Sequence, residues 1–418
     1  MNELFNSAVK YISEIVKFDS SQKPAVEGAP FGKETADCLD WVIKLAASFG
    51  FETKNYDNYA GEVIYGEGEE FAILAHLDVV PAGSGWTHEP FGGEIDYKNE
   101  KIWGRGTMDD KGPAVCALLA LKALKDKGFV PKKKIKLIVG CNEENGWACI
   151  DYYTSHAHMP ETGFSPDADF PVIYAEKGIL HLKLKFPASA DFANLRGGER
   201  GNMVCDLCEV TAPVDKEKLK KYNLTCESGK IISRGKSAHG STPELGVNAI
   251  APVLLYLGLD DMHALLFKDG FGLGNLCDET GRLTFSPNVI EQTKDGIFVT
   301  CDIRYPATYE KARILNAVEK CGVSYEILHY QAPLYNDKNC ELIKTLCGVY
   351  NEVTGKHMQP VAIGGGTYAR ALKCGAAFGP EEEGEEQTIH KPDEYITFAK
   401  IKRCLEIYKL AVERLTCK

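Results

Sequence analysis

The sequence predicts an α/β protein: a mixed, mostly parallel sheet with helices on both faces, interrupted by an inserted α+β domain. Three observations predict it. Through residue 180, apolar patterns of helical period alternate with short apolar runs of strand length, which implies a parallel-rich sheet. From His181 the texture changes to period two, the mark of half-exposed antiparallel strands. From Cys340 helical patterning resumes and runs into a long closing helix.

The elements follow in order. After Met1-Asn2-Glu3-Leu4-Phe5, the pairs Ala8-Val9, Tyr11-Ile12 and Ile15-Val16 lay one apolar stripe along an opening helix rather than a signal peptide. A second helix is expected from Lys33 to Phe49, with Leu39, Val42, Ile43, Leu45 and Ala46 on its apolar face. A short strand follows at Gly61–Tyr65, then a central one at 71–76, where Phe71-Ala72-Ile73-Leu74-Ala75 is a run suited to burial on both faces. A buried helix at 114–127 leads to a strand at Lys134–Gly140, and Val172-Ile173-Tyr174-Ala175 is a further apolar run. The insert reads as strands at His181–Phe186, Lys230–Arg234 and Gly296–Arg304, with helices at 247–258 and 308–320. Helices at Cys340–Val353 and Thr397–Leu415 close the chain around a glycine-rich turn, Gly364-Gly365-Gly366. The domain limits are therefore 1–180 and 335–418 for one domain, and 181–334 for the insert.

At 418 residues the chain exceeds one ordinary core. Its 44% hydrophobic and 26% charged content is that of a soluble globular protein. A net charge of −11 argues against nucleic acid or an anionic membrane as partner. No apolar run reaches the ~18 residues a bilayer span needs, so the cytoplasm is the expected compartment. Fifteen scattered cysteines read as small buried hydrophobes in a reducing setting. Cys205-x-x-Cys208 lacks a second such pair, so a zinc knuckle is not expected.

The chemistry gathers at strand ends. His76 and Asp78 follow the central strand, where open α/β sheets place ligands, and residues two apart on extended chain share a side. Gly104-Arg105-Gly106-Thr107-Met108-Asp109-Asp110-Lys111-Gly112-Pro113 puts two carboxylates ahead of the buried helix. Cys141-Asn142-Glu143-Glu144-Asn145-Gly146 and Ser165-Pro166-Asp167-Ala168-Asp169-Phe170-Pro171 supply carboxylates after two more strands. Alone, Glu143-Glu144 also reads as a solvated loop, and an isolated His390 is more often a surface or capping histidine than a ligand. Together these groups make the ligand set of a two-metal site.

These segments, with Glu176-Lys177-Gly178 and the late His390, resemble the dinuclear zinc peptidases, a family of carnosinases, carboxypeptidase G2, succinyl-diaminopimelate desuccinylase and aminoacylase. The resemblance is strongest to PepV-like bacterial dipeptidases, through Asp109-Asp110-Lys111-Gly112-Pro113, the 165–171 segment and Gly364-Gly365-Gly366-Thr367-Tyr368-Ala369-Arg370. It implies a zinc-exopeptidase-like catalytic domain with a lid formed by the insert, and two zinc ions, with manganese or cobalt as alternatives. Asp109 would bridge the metals, with His76 and Asp167 at one and Glu144 and His390 at the other. Asp78 would hold the far nitrogen of His76, and Glu143 would be the general base. In the insert, His239 resembles the histidine that completes the oxyanion site. Arg304 resembles the grip on a substrate carboxylate, and Asn202 a lid asparagine facing the substrate. Gly365 and Gly366 resemble the loop whose amides meet the carboxylate. Cys205 stands where proline is common.

The expected activity is metal-dependent hydrolysis of unblocked dipeptides. A same-fold amidohydrolase acting on N-acyl amino acids is the alternative. The intact set of polar residues argues against an inactive binding protein on this scaffold. An insert of this length resembles the enlarged lids of monomeric relatives, so a monomer is expected, with a lid-mediated dimer as the alternative.

Overall fold

A computed structural model of the chain describes residues 2–417; Met1, where the expected opening helix begins, lies outside them. The chain divides into two compact units. The first comprises Met1–Tyr174, Asn336–Val361 and Thr367–Lys418, and the second Ala175–Tyr335 with Ala362–Gly366.

In the first unit, helix α1 (Asn2–Val16) buries Ala8, Val9, Ile12, Ile15 and Val16, its sequence stripe. Helix α2 (Lys33–Ser48) precedes strands β1 (Glu52–Tyr56), β2 (Ala60–Tyr65) and β3 (Glu69–His76). Helix α3 (Lys111–Asp126), strand β4 (Lys133–Gly140), helix α4 (Ala148–His156) and strand β5 (Thr162–Ser165) follow. The returning chain adds helix α5 (Glu341–Thr354), strand β6 (Cys374–Ala377) and helix α6 (Phe398–Thr416).

These strands lie in the order β1-β2-β4-β3-β5-β6. The neighbours among β4, β3, β5 and β6 run parallel, whereas β2 is antiparallel to both β1 and β4. Phe71 through Ala75 of β3 are wholly buried, the sign of a strand covered on both faces. Burying Phe71, Ile73 and Leu74 contributes roughly 1.5–3 kcal/mol each. Helix α3 packs against α1, α6 and β3, and is buried from Lys111 through Leu121.

Register decides what this sheet can do. His76 pairs with Gly140, and Ile73 with Phe164, so β3, β4 and β5 end side by side at their carboxyl edges. The continuations of these three strands carry Asp78, Glu143, Glu144 and Asp167.

The second unit is an eight-stranded antiparallel sheet. Its order is Thr225–Glu227, Lys230–Arg234, Leu207–Thr211, Ala193–Gly197, Thr284–Thr293, Gly296–Tyr305, Gly178–Phe186, Ser324–Gln331. Leu180, Leu182 and Leu184 face a core shared with Ile250, Val253, Leu254, Ile314 and Val318. Its helices start later than periodicity predicts, at Ile250 and Lys311. Val247 is instead tied into a backbone pair with Lys236, and Asp278 holds Thr308 in a turn through its amide and hydroxyl.

Nine of the fifteen cysteines are buried and none is disulfide-bonded. Cys205 and Cys208 are among the buried ones, and burial pushes the Cys205 thiol up to about 12. Among the described residues, no helix is long and apolar enough to cross a membrane.

Candidate metal centre

The loop ahead of α3 delivers Asp109. Gly106, at φ 89, takes a left-handed backbone that a side chain would resist. Glu394 holds that loop from beneath: Oε1 accepts from the amides of Gly106 (3.0 Å) and Met108 (2.9 Å), and Oε2 from Arg105 Nη1 (2.6 Å).

Asp109 then offers one oxygen to each of two histidines. Oδ1 lies 2.9 Å from His76 Nε2, and Oδ2 2.9 Å from His390 Nε2. Asp167 Oδ2 sits 3.6 Å from His76 Nε2, and Glu144 Oε1 3.1 Å from His390 Nε2. Ligand atoms each about 2.0–2.2 Å from one ion lie roughly 3–3.5 Å apart, so these separations suit shared divalent cations. His76 Nε2 is buried and makes no hydrogen bond of acceptable geometry, an orphan that an ion would satisfy. Imidazole and carboxylate donors fit zinc, manganese or cobalt.

The electrostatics agree. Burial alone would lower both imidazoles, but the carboxylates of Asp109, Asp167 and Asp78 hold His76 well above its usual range. Asp109 and Glu144 likewise outweigh burial at His390 and raise it to about 11. Burial would raise Asp109, yet His390 and His76 keep it well below the ordinary carboxylate range. The other acids go up: burial, then Asp109, lifts Glu144 to about 7 and raises Asp167, and burial drives Glu143 and Asp110 well above normal. The pocket holds more carboxylates than two imidazoles can neutralise, an imbalance that bound cations relieve.

Asp78 faces the far nitrogen of His76 with its main-chain oxygen as well as its carboxylate. The nearest acceptor for His76 Nδ1 is the main-chain oxygen of Asp78 at 2.9 Å, with the carboxylate Oδ1 at 3.6 Å. The carboxylate also accepts from the amides of Glu143 (2.9 Å) and Glu144 (3.1 Å). The tight turn at the ends of β3 and β4 makes this possible, because two adjacent amides converge on one buried acid.

His390 stands in the left-handed region at φ 62, as does Asp393 at φ 58. Such backbone persists only where the surroundings dictate it, and it clusters at functional sites. Asp393 supplies that restraint by accepting from the amides of Thr87 (2.8 Å) and His88 (3.1 Å).

The remaining sequence candidates belong to the second unit. There the Arg304 guanidinium forks onto Asp302 through Nε (2.7 Å) and Nη2 (2.9 Å). Gly240 lies so close to Asp302 that a Cβ there would stand 2.4 Å from Oδ2. The Gly240 amide donates to Asn202 O at 2.7 Å, and His239 pairs with Met203 in a backbone bridge. Arg304 and the Asn202–Gly240 backbone contact thus lie at Asp302, the His239 ring pairs with Ser241 Oγ at 2.7 Å, and Gly365 and Gly366 fall in the separate 362–366 segment.

The sequence profile of peptidase family M20/M25/M40 matches residues 72–414. The chain belongs to this family. It is accordingly a metal-dependent hydrolase. It is 34% identical over 450 residues to the protein YtjP of Bacillus subtilis (strain 168), covering 97% of this chain and 96% of YtjP. It is 32% identical over 456 residues to the Beta-Ala-Xaa dipeptidase of Lactobacillus delbrueckii subsp. lactis, covering 98% of this chain and 96% of that enzyme. The solved structure of the di-peptidase Dug1p from Saccharomyces cerevisiae superposes with a TM-score of 0.63 at 13% identity, covering 99% and 97% of the two chains, and so shares the fold.

Three residues of this M20/M25/M40 chain escape motif reading. Glu394 binds main-chain amides nearly three hundred positions away, so no local spacing betrays it. Asp302 shares one side of a strand with the Arg304 already singled out, a period-two signal that was available. Trp147 lies four residues past Glu143, and its indole Nε1 donates to Glu143 Oε1 at 3.1 Å.

Proposed function

We propose that the chain is a dipeptidase working with two divalent ions, zinc first, and with Glu143 as general base. One observation carries the reading: Asp109 meets a different imidazole with each oxygen, while Asp167 stands beside His76 and Glu144 beside His390. Ions held by these two donor sets would acidify a shared water and polarise the scissile carbonyl.

The chain does the rest. The Asp78 carbonyl keeps the proton of His76 on Nδ1 and turns Nε2 toward the ligand set. The Asp78 carboxylate fixes the Glu143-Glu144 main chain. Glu143 takes the water's proton and returns it to the leaving amine. In the second unit, we assign Arg304 to the substrate's terminal carboxylate, its fork pre-set by Asp302. His239 is assigned to the oxyanion, Asn202 to the substrate flank, and Gly365 and Gly366 to amide contacts with the carboxylate. The name of the Lactobacillus relative supports a dipeptide rather than an N-acyl amino acid as substrate.

The test strips the protein with a chelator and reloads it with zinc, manganese or cobalt. Turnover is then followed on α-linked and β-alanyl dipeptides against N-acetyl and N-succinyl amino acids. Dipeptide hydrolysis should return with about two ions per chain, and Glu143→Ala should keep the ions but lose most turnover. Preference for N-acyl substrates, or full activity after chelation, overturns the proposal.

A further inference from the structure

We propose that Trp147 is a positioning residue for Glu143, selecting which carboxylate oxygen receives the water's proton. The inference rests on the reading of Glu143 as general base. The indole Nε1 hydrogen bond engages Oε1 at 3.1 Å, leaving Oε2 for the reaction. A carboxylate on a turn otherwise rotates freely about its last bond, and such freedom is what positioning removes.

Local rules do not explain a tryptophan here. Trp147 is the N-cap of α4, a place that favours Ser, Thr, Asp or Asn, and its side chain caps nothing. Its backbone is left-handed (φ 67, ψ 18), unfavourable for a bulky residue. The cap is delegated to Asn142, whose Oδ1 accepts from the Ala148 amide at 3.1 Å and whose carbonyl accepts from the Trp147 amide at 2.9 Å. The ring is braced edge-on against Tyr368, with centroids 5.1 Å apart at 80°. Tyr368 is buried, pairs its hydroxyl with Cys149 Sγ at 2.7 Å, and stands 5.9 Å and edge-on from His76. One wall of aromatic rings therefore orients both the base and a metal-ligating histidine. A residue kept against its own backbone preference, with its single polar atom aimed at the base, is placed for that hydrogen bond.

Packing alone makes a different forecast from positioning, because Phe would fill the same wall without the donor. Trp147→Phe should lower kcat on a dipeptide by about tenfold to a hundredfold, the order of one hydrogen bond to a charged group. KM and the bound metal, read by elemental analysis, should stay within about twofold. A second measurement needs no change at 147. In the metal-free chain labelled with 15N-tryptophan, one of the four indole N–H resonances should shift on Glu143→Ala far more than the others. Unchanged kcat in Trp147→Phe, a parallel loss of metal, or four unmoved indole resonances would each overturn the assignment. If Glu143→Ala itself keeps turnover, the general-base reading falls first. If that variant is inactive while Trp147→Phe turns over normally, the role of Trp147 alone is wrong.

Discussion

Glu394→Gln tests whether the buried strap under the Asp109 loop is what fixes that carboxylate, the bridging ligand we propose. The Arg105 and Glu394 side chains are 2% and 1% exposed and meet at 2.6 Å. Burial pushes the Glu394 carboxyl above its ordinary range despite the Met108 amide and Arg105, so as an ion pair it stabilises little. Breaking the pair is another matter. Glutamine keeps the shape but presents an NH2 group toward donors, stranding a buried guanidinium or two loop amides. Losing one partner of such a pair costs about 3–5 kcal/mol. For a unit of about 250 residues, whose unfolding entropy is roughly 0.5 kcal/mol/K, that lowers Tm by about 6–10 °C. Differential scanning calorimetry of the metal-loaded protein reads the shift, and elemental analysis after dialysis reads metal retention, which should fall because Asp109 is no longer braced. A Tm within a degree of the parent, with full metal retention, would refute the argument.

Other perturbations have equally specific outcomes. Asp78→Ala leaves the Glu143 and Glu144 amides unpaired and should reduce activity or metal affinity about 10–100-fold, read by kcat/KM and competition with a chelating dye. Asp302→Ala removes the fork partner of a guanidinium buried at 6% exposure, and should destabilise the second unit by about 3–5 kcal/mol in urea unfolding. The same variant should raise KM for dipeptides bearing a free carboxylate more than for their amides.

The sheet was legible where one chemical pattern runs unbroken. Phe71–Ala75 and the helix around Ala114–Leu121 are continuous apolar runs, and the structure buries all of them. The second unit was less legible for two physical reasons. Thr284–Thr293 is interrupted at Pro287-Asn288, where its register shifts, so period-two alternation fails across its middle. Ser324–Gln331 is an edge strand with exposed Ile327, Leu328 and Tyr330, so it has no buried face to write a pattern. The site followed the same division. His76, Glu144 and Asp167 stand out as chemistry following strands and Asp109 as a carboxylate opening a buried helix, whereas His390, in a turn before the last helix, carries no such signal by itself. The contacts of Glu394, of Trp147 and of the Asp78 carboxylate with the Glu143 and Glu144 amides involve main-chain amides and an indole, which any sequence contains.

The charge imbalance of the metal-free pocket makes pH the sharpest probe of the cations. Glu144 rises from an ordinary 4.5 to about 7, so the folded chain holds its proton more tightly than the unfolded chain does. A raised group contributes stability that is complete below its unfolded pKa and is lost as pH climbs through the folded one. For Glu144 that window runs from 4.5 to about 7, and the loss is of order 3 kcal/mol. His390, raised from 6.5 to about 11, extends the decline to higher pH, and His76 shifts in the same direction. Asp109, held below its usual range, gives stability lost only on acidification, outside this window. The metal-free protein should therefore lose Tm steadily from pH 5 upward. Ions bind only the deprotonated donors, so they should stabilise more at each higher pH and release about two protons per chain near pH 8. Calorimetry with and without chelator gives the Tm gap, and titration in buffers of different ionisation enthalpy counts the protons. A gap that stays constant from pH 5.5 to 8.5, with no buffer dependence, would mean that the histidines and carboxylates of this pocket do not hold the ions.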